Sequence, residues 1–300
     1  MSLFKSAEAE ASYRAAYDAS LQLWPAQRES LDIPTTFGLT HVVACGLTGG
    51  DPVLLLPAMA FSATMWYATV SALFGEFHCY AVDFPSDIGL SSLDHPPGNR
   101  SDCVAWLREL LDGLGIAKAS FVGASYGSFL ALNFAIAEPA RVKKLVLSSP
   151  AAGIVALPKS FYVRLFLSML LPGRPAVERI MHWIFADRFP LHHPVVQQLM
   201  VATKCLKPRM KVYPGVFTEC ELGGIFAPVY LLFGEKEVCY NPCSAADRAR
   251  RVMPNATVEV VPNAGHMLVM ERPDFVNQRI LEFLHDRRGR LCHCFAATVD

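Results

Sequence analysis

An α/β fold with a mostly parallel central sheet, helices on both faces and one helical insertion is what this 300-residue chain predicts. Three observations carry the expectation. Short apolar runs alternate with helical periodicities from residue 40 to 148 and again from 229 to 285, the pattern of strands joined by crossover helices. Between those blocks, residues 151–222 hold no clear strand. At the centre, Phe121-Val122-Gly123-Ala124-Ser125-Tyr126-Gly127 joins an apolar strand-like run to a helix that is apolar almost all round, so a serine falls on a tight strand-to-helix turn.

Taken in order, Tyr13, Tyr17, Leu21 and Trp24 recur at helical spacing before Pro25. They predict an amphipathic helix lying against the domain, and residues 1–35 read as an N-terminal helical extension. Strands are expected over 40–45 and 52–56, divided by the Gly46 to Asp51 turn signal, then a helix over 64–74 and a strand over 77–82. Residues 83–91, rich in Asp, Pro, Ser and Gly, form a loop. Ser101 is a good N-cap for a helix on which Val104, Leu107, Leu110, Leu111 and Leu114 repeat. A strand over 118–123, a helix over 128–137 and a strand over 142–148 complete the first block. In the second, strands over 229–233 and 257–261 flank a helix over 244–252, and a last helix covers 273–285. The core is therefore 36–150 with 223–286; residues 151–222 are a helical cap inserted into that one domain, and 287–300 are a tail without usable periodicity.

Composition excludes several functions. Lys+Arg 27 balances Asp+Glu 27 with no basic run, which argues against a nucleic-acid partner. Nine scattered cysteines, several inside apolar runs, read as reduced and buried in a cytoplasmic protein rather than as a disulfide framework. The first residues lack the apolar stretch of a signal peptide, and no apolar run is long enough for stable membrane insertion. Self-association as a homodimer is left open.

The chemistry starts at Ser125. A serine on a turn between strand and helix is held in strained geometry, and glycines two before and two after it, Gly123 and Gly127, leave room for crowding backbone. The same turn puts the Tyr126 amide at a helix N-terminus, where the dipole favours a developing oxyanion. Acyl transfer also needs a base and an orienting carboxylate. His266 stands in Pro262-Asn263-Ala264-Gly265-His266, directly after the last strand and so at the C-terminal edge of the sheet, where catalytic groups gather. The acid comes from Gly234-Glu235-Lys236-Glu237. Glu237 is favoured because it lies deeper in the loop and can turn back toward His266; Glu235 reads as a solvated charge or a carboxylate tying loop amides. The strand before the insertion offers no acid, since residues 148–153 carry no carboxylate.

Gly123-Ala124-Ser125-Tyr126-Gly127, Gly234-Glu235-Lys236-Glu237 and Ala264-Gly265-His266, with Asp83-Phe84-Pro85 after an early strand, together resemble the α/β-hydrolase superfamily over residues 36–286. The likeness is nearest to its capped bacterial esterase-like members. It implies the α/β-hydrolase fold, a Ser-His-Glu triad of Ser125, His266 and Glu237, no cofactor and no metal, and an oxyanion hole of the Tyr126 amide and the Met59 amide. Two departures stand out. Leu56-Pro57-Ala58-Met59 replaces the usual His-Gly before the second oxyanion residue, and proline and alanine bend the loop differently from glycine. Glutamate replaces the commoner aspartate.

The expected function is serine hydrolysis of an ester, thioester or lactone with an apolar acyl group, a small-molecule substrate, by a carboxylic ester hydrolase. The alternatives are a carbon–carbon bond hydrolase with the same triad, and a non-hydrolytic binding protein or cyclase on the same fold. Other features carry less. Cys292-His293-Cys294 has no partner pair at metal-site spacing. His192 and His193 belong to a cap loop, with pocket lining as the sharper option. Met59, Phe61 and Trp66 wall the acyl site or simply pack the core, and the apolar segment 161–171 is either a lid or a buried helix face.

Overall fold

The computed structural model describes residues 3–25, 27–150, 152–169, 174–186 and 189–286. The tail from 287 onward, with Cys292-His293-Cys294, lies outside the described residues.

Helix α1 (Ala7–Leu21) starts at Ser6, whose side chain accepts the Ala9 amide. Strands β1 (Arg28–Thr35) and β2 (Gly38–Gly46) follow as a hairpin, then β3 (Asp51–Leu56), a 3-10 turn over Ala63–Trp66, α2 (Tyr67–Leu73) and β4 (Phe77–Val82). Helix α3 (Arg100–Gly113), β5 (Ala119–Ala124), α4 (Tyr126–Ala137) and β6 (Val142–Ser148) complete the first block. Between β6 and the next strand lie α5 (Lys159–Met169), α6 (Arg174–Ile184), α7 (Pro194–Cys205) and the short α8 (Glu219–Gly223). The chain returns through β7 (Val229–Gly234), α9 (Pro242–Val252), β8 (Ala256–Val261), α10 (Leu268–Glu271) and α11 (Pro273–His285).

The eight strands form one sheet in the order β1-β2-β4-β3-β5-β6-β7-β8. Pairings β1–β2 and β2–β4 are antiparallel and the rest parallel. Alternation along the strands splits the core into two layers. Val53, Leu55, Val122 and Val146 face the side covered by α1, α2 and α11. Leu54, Leu56, Phe121 and Leu145 face the side covered by α3, α4 and α9. Trp106 fills the second layer and donates its indole N–H to Thr40 Oγ1 at 2.8 Å, so its polar handle costs nothing in the interior.

One segment departs from the sequence reading. Residues 28–35, taken as part of a helical extension, are strand β1. Arg28, Glu29, Asp32 and Pro34 disguise the alternation of Leu31 and Ile33, which pack on the second layer. Charges and proline are tolerated because β1 is an edge strand.

Helix α7 is tied deep into the core. Gln198 donates to Tyr13 Oη at 3.0 Å and Ser62 Oγ at 2.9 Å, and accepts from Thr64 Oγ1 at 2.8 Å. A single buried amide thus joins α7 to α1 and to the loop after β3. Among the described residues, no helix is long and apolar enough to cross a membrane.

Candidate active site

Ser125 occupies the turn between β5 and α4 with φ 50° and ψ −108°, a left-handed conformation that a side chain adopts only under constraint. The constraint is backbone crowding. A Cβ on Gly123 would come within 2.6 Å of the Ser128 nitrogen, and one on Gly127 within 2.0 Å of the Leu56 carbonyl oxygen. The Ser125 amide donates to Ser148 O at 2.9 Å, and Ser128 Oγ donates to Gly123 O at 2.8 Å, pinning the turn from both sides.

His266 arrives from the loop after β8. Its Nε2 lies 2.8 Å from Ser125 Oγ, and its Nδ1 lies 2.8 and 2.9 Å from the two Glu237 carboxylate oxygens. A carboxylate only accepts, so Nδ1 carries the proton and Nε2 is left to accept from the serine hydroxyl. All three side chains are buried. Glu237 also accepts the Cys239 amide at 2.8 Å. Burial disfavours its charge, but His266 and that amide outweigh burial and hold the carboxyl below its ordinary value. Burial likewise opposes an imidazolium at His266, yet the Cys239 sulfur and the Glu237 carboxylate raise the group well above the ordinary histidine value. Burial also pushes the Cys239 thiol up, which leaves Glu237 as the charge responsible.

The loops carrying these groups approach backbone to backbone. A Cβ on Gly234 would meet the Gly265 oxygen at 2.1 Å, and Lys236 N donates to Ala264 O at 2.8 Å. Glu235 points its carboxylate at the Asn263 amide, 2.9 Å away, and ties loop amides instead of reaching His266. The His266 amide donates to Ile184 O at 3.2 Å, at the end of α6.

Tyr126 opens α4, so its amide is the first of that helix; its hydroxyl donates to Val212 O at 2.9 Å. Met59 lies in a turn in which Phe61 N donates to Ala58 O at 3.0 Å. Trp66 and Phe61 are core side chains, while Met59 is half-buried against the second layer. His193 is the N-cap of α7, with its ring against Tyr67 and Phe189.

Sequence reasoning missed four neighbours. Glu271 straps the His266 loop by accepting Gly265 N at 2.7 Å and Met267 N at 3.0 Å, one on each side of the histidine. The Cys239 sulfur lies within 4.8 Å of ligand atoms of both Glu237 and His266, and the Tyr240 ring meets the imidazole edge-on, with centroids 6.5 Å apart. Asp87 accepts Ala60 N and Ile88 N, each at 2.8 Å. Burial pushes its carboxyl up to about 6 against the pull of those amides. Only Glu271, an acid five residues after His266, offered a signal.

A strained serine between strand and helix, met by an imidazole and a carboxylate from later strand ends, defines the class of α/β proteins built around a nucleophile turn. A family model described as the alpha/beta hydrolase family matches residues 53–279, and the chain belongs to that family. It is 36% identical over 288 residues to carboxylesterase YbfK of Bacillus subtilis, covering 94% of this chain and 96% of the relative. The crystal structure of that protein superposes with a TM-score of 0.86 at 34% identity, over 93% of this chain and 99% of the other. The crystal structure of naproxen esterase from Bacillus subtilis gives a TM-score of 0.88 at 34% identity, over 94% of this chain and 100% of the other.

Proposed function

We propose that this chain is a carboxylic ester hydrolase that works through an acyl-enzyme on Ser125. The observation that carries the reading is the continuous relay from Ser125 Oγ to His266 Nε2 and from His266 Nδ1 to Glu237, each link 2.8 Å long. Ser125 Oγ attacks the acyl carbonyl as His266 Nε2 takes its proton, and Glu237 stabilises the imidazolium. The amides of Tyr126 and Met59 receive the oxyanion. Collapse of the tetrahedral intermediate expels the alcohol, protonated by His266. Water then attacks the acyl-enzyme with His266 as base, releasing the carboxylic acid and restoring Ser125.

Helices α5 to α8 act as a cap over this site, and an apolar acyl group is the expected substrate portion. Exposed Tyr162, Val163 and Leu167 on α5 support an apolar lid, and one relative is named a naproxen esterase. A cytoplasmic location fits the seven described cysteines, which are all free, although Cys45 and Cys79 face each other across β2 and β4. Self-association as a homodimer stays open, and sedimentation velocity reads it directly.

The test is hydrolysis of p-nitrophenyl esters of increasing acyl length, with naproxen methyl ester beside them, by wild type and Ser125→Ala. The reading requires loss of activity and of fluorophosphonate labelling in the variant, and faster turnover of the apolar acyl groups. Undiminished hydrolysis by Ser125→Ala would overturn it.

A further inference from the structure

The contact between Glu237 and His266 has a third party. Cys239 follows Glu237 by two residues, and the Glu237 carboxylate accepts its amide at 2.8 Å, which doubles the chain back on itself. The Cys239 sulfur, a His266 ring nitrogen and a Glu237 carboxylate oxygen all lie within 4.8 Å of one another, and the three side chains are buried. The ring nitrogen on that side is Nδ1, which faces the carboxylate, while Nε2 faces Ser125 across the ring. The relay uses His266 and Glu237 and leaves the thiol without a task.

Thiolate sulfur, imidazole nitrogen and carboxylate oxygen are the donors that hold zinc, through bonds of about 2.3, 2.0 and 2.1 Å. In a tetrahedral arrangement such bonds set the nitrogen and oxygen about 3.4 Å apart and the sulfur and nitrogen about 3.6 Å apart. The site therefore closes on an ion once the Nδ1–Glu237 distance opens from 2.8 Å and the sulfur moves in from 4.8 Å or less. Charge balances as well, because one thiolate and one carboxylate cancel a divalent cation and leave a neutral complex in the interior. Two buried hydroxyls that act on the same carboxyl, those of Ser149 and Tyr240, have no hydrogen-bond partner among the described residues, so the pocket holds spare oxygen donors. Coordination takes the lone pair of Nδ1. The Nδ1 proton leaves, the ring takes one at Nε2, and the Cys239 thiol proton goes to water, so each ion releases one proton in all. A ring protonated at Nε2 donates to Ser125 Oγ and can no longer accept from it.

We infer that Cys239, His266 and Glu237 form an inhibitory site for a divalent ion of the zinc type, which holds the imidazole in the wrong tautomer and switches the hydrolase off. The ion is a regulator that comes and goes, with no part in the ester chemistry. That it inhibits rests on the reading above that His266 is the base for Ser125; that it binds rests on the three donors alone.

The test titrates zinc chloride into wild type and C239S, after preincubation because the donors are buried. Wild type is expected to lose kcat on a p-nitrophenyl ester with KM within about twofold, since the ion sits on the edge of the ring away from Ser125. Loss of a partner behind a metal ligand already weakens binding about 10- to 100-fold, so loss of the thiolate itself raises the inhibition constant of C239S by about 100-fold or more, read against its own metal-free rate. Cobalt chloride gives a second readout in a C220S/C243S/C292S/C294S background, which removes the exposed described cysteines and the tail pair. A sulfur-to-cobalt charge-transfer band in the near ultraviolet is expected there, retained with S125A and lost with C239S. Should C239S not fold, C239A carries the same comparisons. A wild type that zinc leaves fully active, inhibition that raises KM alone, a missing cobalt band, or C239S inhibited as strongly as wild type overturns the proposal. Undiminished hydrolysis by S125A would instead overturn the hydrolase reading, while the cobalt band would still report the ion site.

Discussion

Gly127→Ala tests whether close backbone packing beneath Ser125 sets the activity. The Cβ would sit 2.0 Å from the Leu56 oxygen, 2.5 Å from the Leu56 carbon and 2.8 Å from the Pro57 oxygen. Contacts under 3.0 Å essentially do not occur for a Cβ, so α4 and the end of β3 must part by at least 1.0 Å (3.0 minus 2.0). The obstacle is backbone, and no rotamer change relieves it. Overpacking of this kind costs about 3 kcal/mol. The same displacement separates Ser125 and the Tyr126 amide from the loop that carries Met59, and a shift of about 1 Å at reacting groups costs roughly 100-fold in rate. Urea unfolding and steady-state ester hydrolysis read the two effects separately. Gly75→Ala is the control, since a Cβ there meets nothing within 4 Å. If Gly127→Ala keeps both wild-type stability and wild-type kcat, the crowding argument for this turn is refuted.

Three further predictions follow from the site and the core. Glu237→Gln removes the charge that raises His266; because the neutral imidazole is the active form, the acidic limb of the kcat/KM profile moves to lower pH, while the plateau falls by roughly four orders of magnitude. A limb that stays put or moves upward contradicts the assignment. Glu271→Gln leaves one of the two amides flanking His266 facing a donor, so kcat falls about tenfold with little change in KM, and burst kinetics would place the loss in acylation. Gln198→Leu removes the partner of the Tyr13 hydroxyl and leaves Ser62 and Thr64 only their bond to each other, which lowers unfolding free energy by about 1 to 3 kcal/mol in denaturant titration; an unchanged midpoint would show that the network contributes nothing.

The meeting of Ser125, His266 and Glu237 was legible because each sits at a strand end that the apolar runs announce. Ser125 is bracketed by glycines, His266 follows the last strand, and Glu237 lies beyond Gly234. Glu235 against Glu237 turns on which carboxylate faces the imidazole, and in the fold Glu235 is spent on the Asn263 amide. Strand β1 was hidden because an edge strand tolerates charge and proline that a central strand rejects. Asp87 and Cys239 were hidden for another reason. Their importance lies in which amide or ring they meet across the fold, and no local pattern marks a loop aspartate or a buried cysteine for that work.

Gln198 has a consequence for how this fold could change over time. Helix α7 shares its one buried amide with α1 and the loop after β3, so it cannot drift without disturbing the segment that carries Met59. Helix α5 leans on α6 through Phe161 and Arg164, both against the Trp183 ring, and leaves Tyr162, Val163 and Leu167 exposed. The insertion therefore joins a helix fixed in the core of the fold to one whose exposed apolar side chains can be exchanged with little disturbance to the packing beneath.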